Sequence, residues 1–110
     1  MAGRLTTHVL DTVRGTAAAF MAVRLHRIDP DPALLLSVTL DAEGRAVLLA
    51  GEAMQPGIYE IVFAAGAYRG SANRAFLGDI PVRFGIETAD QHYHVPLILS
   101  GFGYSTYRGG

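Results

Sequence analysis

Three of the four histidines and one arginine are the residues whose types and spacing could do chemistry. His92 and His94 lie two positions apart in a strand-like segment, His8 lies in the first such segment, and Arg45 follows a turn. A neutral imidazole can take a proton from water and return it near neutral pH. A guanidinium offers a planar pair of donors to an oxygen-rich ring or a developing oxyanion. These groups would suit a metal-free hydrolysis.

The alternation of apolar and polar residues predicts where these side chains point. Between residues 92 and 99 every second side chain, beginning at Tyr93, is apolar and is expected to face the core. The opposite face is then made of His92, His94, Pro96 and Ile98. By the same rule His8 points away from the core if Val9 points inward. An outward Pro and Ile suggest that another subunit covers this face.

Each of these residues also has a simpler interpretation. A single histidine on a small β-domain is usually a surface or interface residue, and Arg45 alone would more often be a solvated turn arginine. His92 and His94 could form a His-x-His metal pair, and His8 would give a third nitrogen ligand. The sequence has no cysteine and no well-placed carboxylate, so we expect no metal. Spacing alone does not establish catalysis.

The elements that must position these residues are strands. Short alternating or β-branched segments are separated by turn signals at even spacing, which is typical of an all-β sandwich. The predicted strands are Leu5 to Asp11, Phe20 to Ile28, Leu34 to Leu40, Arg45 to Leu49, Ile58 to Ala64, Ile80 to Thr88, His92 to Leu99 and Tyr104 to Arg108. A short helix is possible between residues 65 and 75.

Composition limits the classes of protein to which the chain can belong. Its 110 residues are enough for one domain, 1–110, and half of them are hydrophobic while 17% are charged. This apolar balance suggests that some surface is buried between subunits. A net charge of −1 without a basic stretch argues against nucleic-acid binding, and no apolar run is long enough to span a membrane. Without a signal-peptide pattern at residues 1–4, the expected location is cytoplasmic.

Four segments carry a family resemblance. They are residues 5–12, the turn at residues 41–45, the His-Tyr-His-Val-Pro-Leu block within residues 92–100, and residues 103–109 near the chain end. Together they resemble the signatures of the 5-hydroxyisourate hydrolases, the enzymatic branch of the transthyretin-like proteins. The family's chain closes with Tyr-Arg-Gly-Ser, whereas this chain has Gly110 at the last position.

The resemblance implies a fold, an assembly and a reaction. The fold would be a transthyretin-like sandwich of two four-stranded sheets, with one short helix after the fifth strand. The assembly would be a homotetramer, a dimer of dimers whose active sites lie in a central channel. The reaction would be hydrolysis of 5-hydroxyisourate to 2-oxo-4-hydroxy-4-carboxy-5-ureidoimidazoline in urate catabolism, with no cofactor.

The resemblance also assigns roles to residues. The catalytic set would be His8, Arg45 and His94. The substrate-binding set would be His92, Tyr107, Arg108, Gly109 and Gly110. Gly110 lacks the hydroxyl of the usual serine, which leaves open a catalytically impaired hydrolase.

Two competing functions belong to different classes of protein. One is a transthyretin-like carrier of small ligands, and the other is a structural sandwich module. The retained His8, Arg45 and His94 favour the enzyme over the carrier, because a carrier channel needs apolar walls. The absence of flanking linkers argues against the structural module.

Overall fold

The chain folds into two β-sheets packed face to face. The computed structural model describes residues 3–70 and 75–109. In chain order the strands are β1 Arg4–Asp11, β2 Thr16–Ala17, β3 Ala22–Asp29, β4 Ala33–Thr39, β5 Arg45–Ala50, β6 Gly57–Ala64, β7 Asp79–Ile86, β8 His92–His94, β9 Leu97–Leu99 and β10 Tyr104–Thr106. The helix α1 covers Ala65–Tyr68, and a 3₁₀ turn covers Gly51–Ala53. Among the described residues, no helix is long and apolar enough to cross a membrane.

The first sheet, here called the site sheet, is built around β1. On one side β1 pairs in antiparallel fashion with β5 and then with the two-residue strand β2. On the other side it pairs in parallel with β8 and then with β9, and β10 follows β9. Because β8 and β9 are consecutive parts of one line of chain, the site sheet is four strands wide.

The second sheet has the order β4, β3, β6 and β7, and all of its neighbours are antiparallel. Its inner face packs on the inner face of the site sheet. Leu5 and Val9 of β1 are fully buried against side chains such as Leu25 of β3 and Ile61 of β6. Burial of apolar area at about 25 cal/mol per Å² is the main force holding the two layers together. The predicted sandwich of two four-stranded sheets is thus confirmed.

One predicted strand is broken in the structure. The segment His92 to Leu99 forms two short strands, β8 and β9, separated by Val95 and Pro96. Proline has no N–H to give to a sheet, which explains the interruption. Pro96, predicted to face outward, is buried within the single chain, so its apolar character does not by itself call for another subunit to cover it. Tyr93, Val95, Leu97 and Leu99 are buried as predicted.

The other strand ends lie within two residues of their predicted positions. The strand predicted from Phe20 begins at Ala22, because Phe20 has a φ of 63°, which a strand residue does not adopt. The strand predicted to reach Arg108 ends at Thr106. The short helix follows the strand Gly57–Ala64 directly, as expected. The rest of the predicted helical segment includes residues 71–74, which lie outside the described residues.

Candidate active site

The parallel pairing of β1 and β8 gathers polar side chains on the outer face of the site sheet. Thr6 of β1 lies directly opposite His94 of β8 in the register. Leu5 and Val9 are buried on the core side, so the alternation leaves Thr6 and His8 on the outer side. The sequence prediction that His8 and His94 face away from the core is therefore confirmed, and the fold brings their strands together.

The strand β5 brings Arg45 to the same face. The antiparallel register pairs Arg45 with His8 and Val47 with Thr6. His8 therefore lies on the central strand, with Arg45 on the strand to one side and His94 on the strand to the other. Two imidazoles and one guanidinium that are far apart in the chain become neighbours through strand pairing alone.

The turn before β5 fixes the backbone position of Arg45. The Asp41 carboxylate accepts hydrogen bonds from the backbone N–H groups of Glu43 at 2.8 Å and Arg45 at 3.0 Å. Gly44 has a φ of 72°, and a Cβ there would lie 2.8 Å from the carbonyl oxygen of Val9. Only glycine suits that conformation and that close approach. The turn therefore holds the backbone of Arg45 in one position against β1.

A cavity of about 410 Å³ lies on this outer face. Its lining includes Arg4, Thr6, Arg45, Val47, His92 and His94. His8 is partly exposed and lies beside the cavity without being part of its lining. The cavity is large enough for a small heterocycle, and its polar lining consists mainly of proton-transfer groups and cations.

Thr6 is the site residue that sequence reasoning missed. Its Oγ1 lies 2.8 Å from Nε2 of His92 and 2.8 Å from Nδ1 of His94. The hydroxyl therefore links the two imidazoles, whose ring centres are 6.1 Å apart. The signal that could have found it is the period of two, which puts Thr6 on the same face as His8.

The neutral form is favoured at His8 and His94. Burial lowers the pKa of His8 below 6.5, and the charge of Arg45 lowers it further. Burial also lowers the pKa of His94, and the neighbouring His92, His8 and Arg45 act in the same direction. At neutral pH both imidazoles can accept a proton, which is the state that a general base requires.

The chain end packs against His94. The backbone N–H of Gly109 donates to the carbonyl oxygen of His94 at 2.7 Å, which forms an isolated β-bridge. A Cβ on Gly109 would lie 2.6 Å from Cδ2 of the His94 ring. Only glycine fits this contact without displacing the ring. The sequence-predicted Gly109 therefore reaches the site through His94.

Tyr107 and Arg108 do not line the same cavity within one chain. They line a second cavity of about 470 Å³, between the C-terminal segment and β7. The Arg108 guanidinium lies 4.1 Å from the centre of the Tyr93 ring and donates to the carbonyl oxygen of His92 at 3.2 Å. Arg108 therefore contacts the backbone of His92, which lines the first cavity, without lining that cavity itself. Gly110, also predicted to bind substrate, lies outside the described residues.

The part of the chain that the structure describes contains no group of three His, Cys, Asp or Glu residues able to hold a metal ion. His92 and His94 both turn a nitrogen toward Thr6. Both rings are therefore placed to form a hydrogen bond with the Thr6 hydroxyl.

The fold is shared with several solved structures. (S)-Allantoin synthase matches with a TM-score of 0.92 and 40% identity over 99% of this chain, which spans only 44% of that longer chain. The 5-hydroxyisourate hydrolase of Klebsiella pneumoniae matches with a TM-score of 0.84 and 29% identity, over 98% of this chain and 99% of that one. Sea bream transthyretin in complex with thyroxine matches with a TM-score of 0.81 and 28% identity, over 96% of this chain and 93% of that one. Fold and site define a transthyretin-like sandwich with a histidine- and arginine-lined cavity.

Sequence comparison gives the family. The model described as the HIUase/Transthyretin family matches residues 5–109. The curated 5-hydroxyisourate hydrolase of Mesorhizobium japonicum is 51% identical over 97% of this chain and 92% of its own length. The chain belongs to the HIUase/Transthyretin family. It is an enzyme of that family, as the sequence predicted.

Proposed function

We propose that the protein hydrolyses 5-hydroxyisourate to 2-oxo-4-hydroxy-4-carboxy-5-ureidoimidazoline. The observation that carries this proposal is the cluster of His8, Arg45 and His94 beside one cavity. The cluster combines two neutral bases with a fixed cation, a set that can catalyse the hydrolysis of a cyclic amide. The relative from Mesorhizobium japonicum, named as a 5-hydroxyisourate hydrolase, supports the choice of substrate.

In the proposed mechanism His8 and His94 hold a water molecule in the cavity. One imidazole takes a proton from the water as its oxygen bonds to the ring carbonyl carbon. The imidazolium then returns that proton to the ring nitrogen as the C–N bond breaks, so that one water is added and the ring opens. The lowered pKa values of both histidines keep them ready for the first of these steps at neutral pH.

Arg45 has the electrostatic role in this proposal. Its guanidinium orients the substrate and stabilises the negative charge that develops on the carbonyl oxygen during attack. Three features support the role: the rigid turn at residues 41–44, the pairing with His8, and a place in the cavity lining. A preorganised donor of this kind contributes about 3 kcal/mol to transition-state stabilisation.

Substrate binding is proposed to involve His92, Tyr107, Arg108, Gly109 and Gly110. His92 lines the cavity, and Gly109 packs on His94. Tyr107 and Arg108 are proposed to close the cavity together with residues of a facing subunit in a homotetramer. Gly110 offers no side-chain hydroxyl where the family usually has serine, so that donor must come from elsewhere. The cytoplasmic location stays a prediction, which cell fractionation can test.

A coupled assay tests the proposed function. Urate and urate oxidase generate 5-hydroxyisourate in place, and its ultraviolet absorbance is followed with and without the protein. We expect decay well above the spontaneous rate, and a loss of about 10²–10⁴-fold in His94→Ala, since that is the usual contribution of a general base. His26→Ala is the matched control, because His26 lies on β3 of the second sheet. No acceleration by the folded wild-type protein would contradict the proposal.

One observation supports a second candidate, a small-ligand binding protein. Sea bream transthyretin, solved with thyroxine, shares the fold at 28% identity. A carrier would bind ring compounds in the cavity without turnover. Calorimetry with a stable urate analogue, run beside the coupled assay, separates the two functions.

A further inference from the structure

The hydroxyl of Thr6 lies between two imidazoles and is nearly buried. Its Oγ1 is 2.8 Å from Nε2 of His92 and 2.8 Å from Nδ1 of His94, and the residue is only 9% exposed. Both distances are typical of strong hydrogen bonds. No other described residue hydrogen-bonds through its side chain to either ring.

The Thr6 hydroxyl has only one proton for its two contacts with ring nitrogens. A threonine hydroxyl has one O–H donor and two acceptor lone pairs. The Thr6 hydroxyl has no other hydrogen-bond partner among the described residues. When both histidines are neutral, its O–H therefore donates to one ring nitrogen, and the other ring donates its own N–H to Oγ1. The contact therefore admits two patterns, which give His94 opposite tautomers.

The position of the His94 ring distinguishes the two patterns chemically. Its Nδ1 lies within hydrogen-bond distance of Thr6 Oγ1 on one side, and its Cδ2 packs against Gly109 on the other. The remaining edge, which bears Nε2, has no hydrogen-bond partner among the described residues. If Nδ1 carries the proton, Nε2 has a lone pair and can act as a base. If Nδ1 accepts from Thr6, Nε2 carries the proton and cannot.

We propose that Thr6 is a positioning residue that sets the tautomer of His94. In this assignment Nδ1–H of His94 donates to Oγ1 of Thr6, and the Thr6 hydroxyl donates to Nε2 of His92. The free Nε2 of His94 is then the proton acceptor of the site. When Nε2 becomes protonated, the Nδ1–H bond to Thr6 stays as it was, so no hydrogen bond has to rearrange.

Both the choice of tautomer and its catalytic consequence rest on the proposed hydrolysis, but the tautomer can be measured separately from turnover. Loss of the oriented tautomer should lower turnover by about 10–100-fold, the range seen when a partner that orients a functional histidine is removed. Binding of substrate should change less, because Thr6→Val keeps the shape of the side chain.

Nitrogen-15 NMR of histidine-labelled protein reads the tautomer directly. In the wild-type protein we expect His94 to carry its proton on Nδ1. In Thr6→Val the partner of that N–H is lost, and we expect the proton to move to Nε2. In Thr6→Ser the hydroxyl is kept, and we expect the wild-type tautomer and near wild-type turnover.

Thr12→Val is the matched control. Thr12 follows β1 and donates its hydroxyl to the carbonyl oxygen of Leu99, far from either site histidine along the strand. It should leave the tautomer of His94 and the turnover unchanged. Thermal unfolding of each variant reports whether a loss of turnover reflects a loss of fold.

Several results would overturn the proposal. These are a wild-type His94 protonated at Nε2, an unchanged tautomer in Thr6→Val, and a Thr6→Ser variant that behaves like Thr6→Val. The wild-type spectrum alone tests the assignment if Thr6→Val does not fold. A wild-type protein that fails to hydrolyse 5-hydroxyisourate but shows the Nδ1–H tautomer would refute the proposed function and leave this inference standing.

Discussion

At the scale of single residues, His94 owes its properties to its neighbours. Burial and the nearby His92, His8 and Arg45 lower its pKa, Thr6 contacts its Nδ1, and Gly109 packs on its Cδ2. Thr6 and Gly109 come from opposite ends of the chain. These contacts therefore hold the orientation of the ring, and its surroundings favour the neutral form, before any substrate arrives.

Replacing Gly109 tests the steric side of this arrangement. A Cβ at Gly109→Ala would lie 2.6 Å from Cδ2 of His94, so the ring or the chain end must move. A displacement of about 1 Å can cost about 10²-fold in rate, and we expect a loss of turnover approaching that size. The coupled urate oxidase assay measures it.

Gly101→Ala is the control for that variant. A Cβ at Gly101 would meet only Cγ2 of Val13, at an ordinary 3.8 Å. We therefore expect Gly101→Ala to keep wild-type turnover. Equal turnover in both variants would show that the packing of Gly109 on His94 has no catalytic consequence.

The lowered pKa values predict a pH dependence. A histidine with a pKa below 6.5 is still mostly neutral at pH 6.5 and becomes mostly protonated only below its own lowered pKa. Since the neutral form is the base, kcat/KM should fall on an acid limb whose midpoint lies below pH 6.5. A rate profile against pH measures this limb, and an acid limb above pH 6.5 would contradict the prediction.

At the scale of elements, the helix α1 is tied to the end of β1 by one buried carboxylate. Asp11 is 1% exposed. It accepts hydrogen bonds from Tyr68 at 2.8 Å and from the backbone N–H groups of Val13 at 3.0 Å and Arg14 at 3.2 Å. Arg69 pairs with it at 3.4 Å. Burial alone would raise the pKa of Asp11, but these hydrogen bonds and the Arg69 charge lower it overall.

Removing this carboxylate should destabilise the fold. Asp11→Ala leaves Arg69 and two backbone N–H groups without their partner, and we expect the free energy of unfolding to fall by about 3 kcal/mol. Tyr68→Phe removes one hydrogen bond and should cost about 1 kcal/mol. Urea unfolding measures both changes.

The stabilisation by Asp11 should also depend on pH. The pKa of Asp11 is lowered in the folded state from its ordinary value of 3.8. Its contribution to stability is therefore fully present above pH 3.8, and it is lost as the pH falls from there through the lowered pKa. If urea unfolding at neutral pH shows that Asp11→Ala is as stable as the wild-type protein, the hydrogen bonds and ion pair of Asp11 do not stabilise the fold.

At the scale of the whole molecule, the two sheets leave unpaired edges on one side. In the described part of the chain, β7 and β10 each have a strand partner on one side only. Residues of β7 and residues 106–108 flank the cavity of about 470 Å³ between these edges. Unpaired strands can pair with another copy of the chain, which supports the proposed homotetramer.

Light scattering after size exclusion tests the assembly. We expect a mass corresponding to a tetramer for the wild-type protein. Ser105→Lys puts a charge on the exposed edge strand β10 and should yield smaller species with reduced turnover. Thr39→Lys, on the edge strand β4 of the second sheet, should leave the mass unchanged. A monomeric wild-type protein with full turnover would contradict both the assembly and the role of a facing subunit.

The sequence predicted much of the fold because alternation is a local signal. Period two places Leu97 and Leu99 inward and His94 outward whatever the topology, and the turn residues mark the strand ends. It failed at Pro96, where an alternating pattern continues through a residue that cannot donate to a sheet. It also could not show that Tyr107 and Arg108 line a different cavity from His94 within one chain.

The sequence by itself therefore determined most of the strands, the faces of most of their side chains and the chemical types at the site. Only the tertiary structure decided which strands are neighbours, because pairing joins residues far apart along the chain. The contacts of Thr6 with His92 and His94 span 86 and 88 positions and depend on β8 lying parallel to β1. The period of a strand gives the direction of Thr6 but not its partner, so the hydroxyl bridge emerged only from the folded sheet.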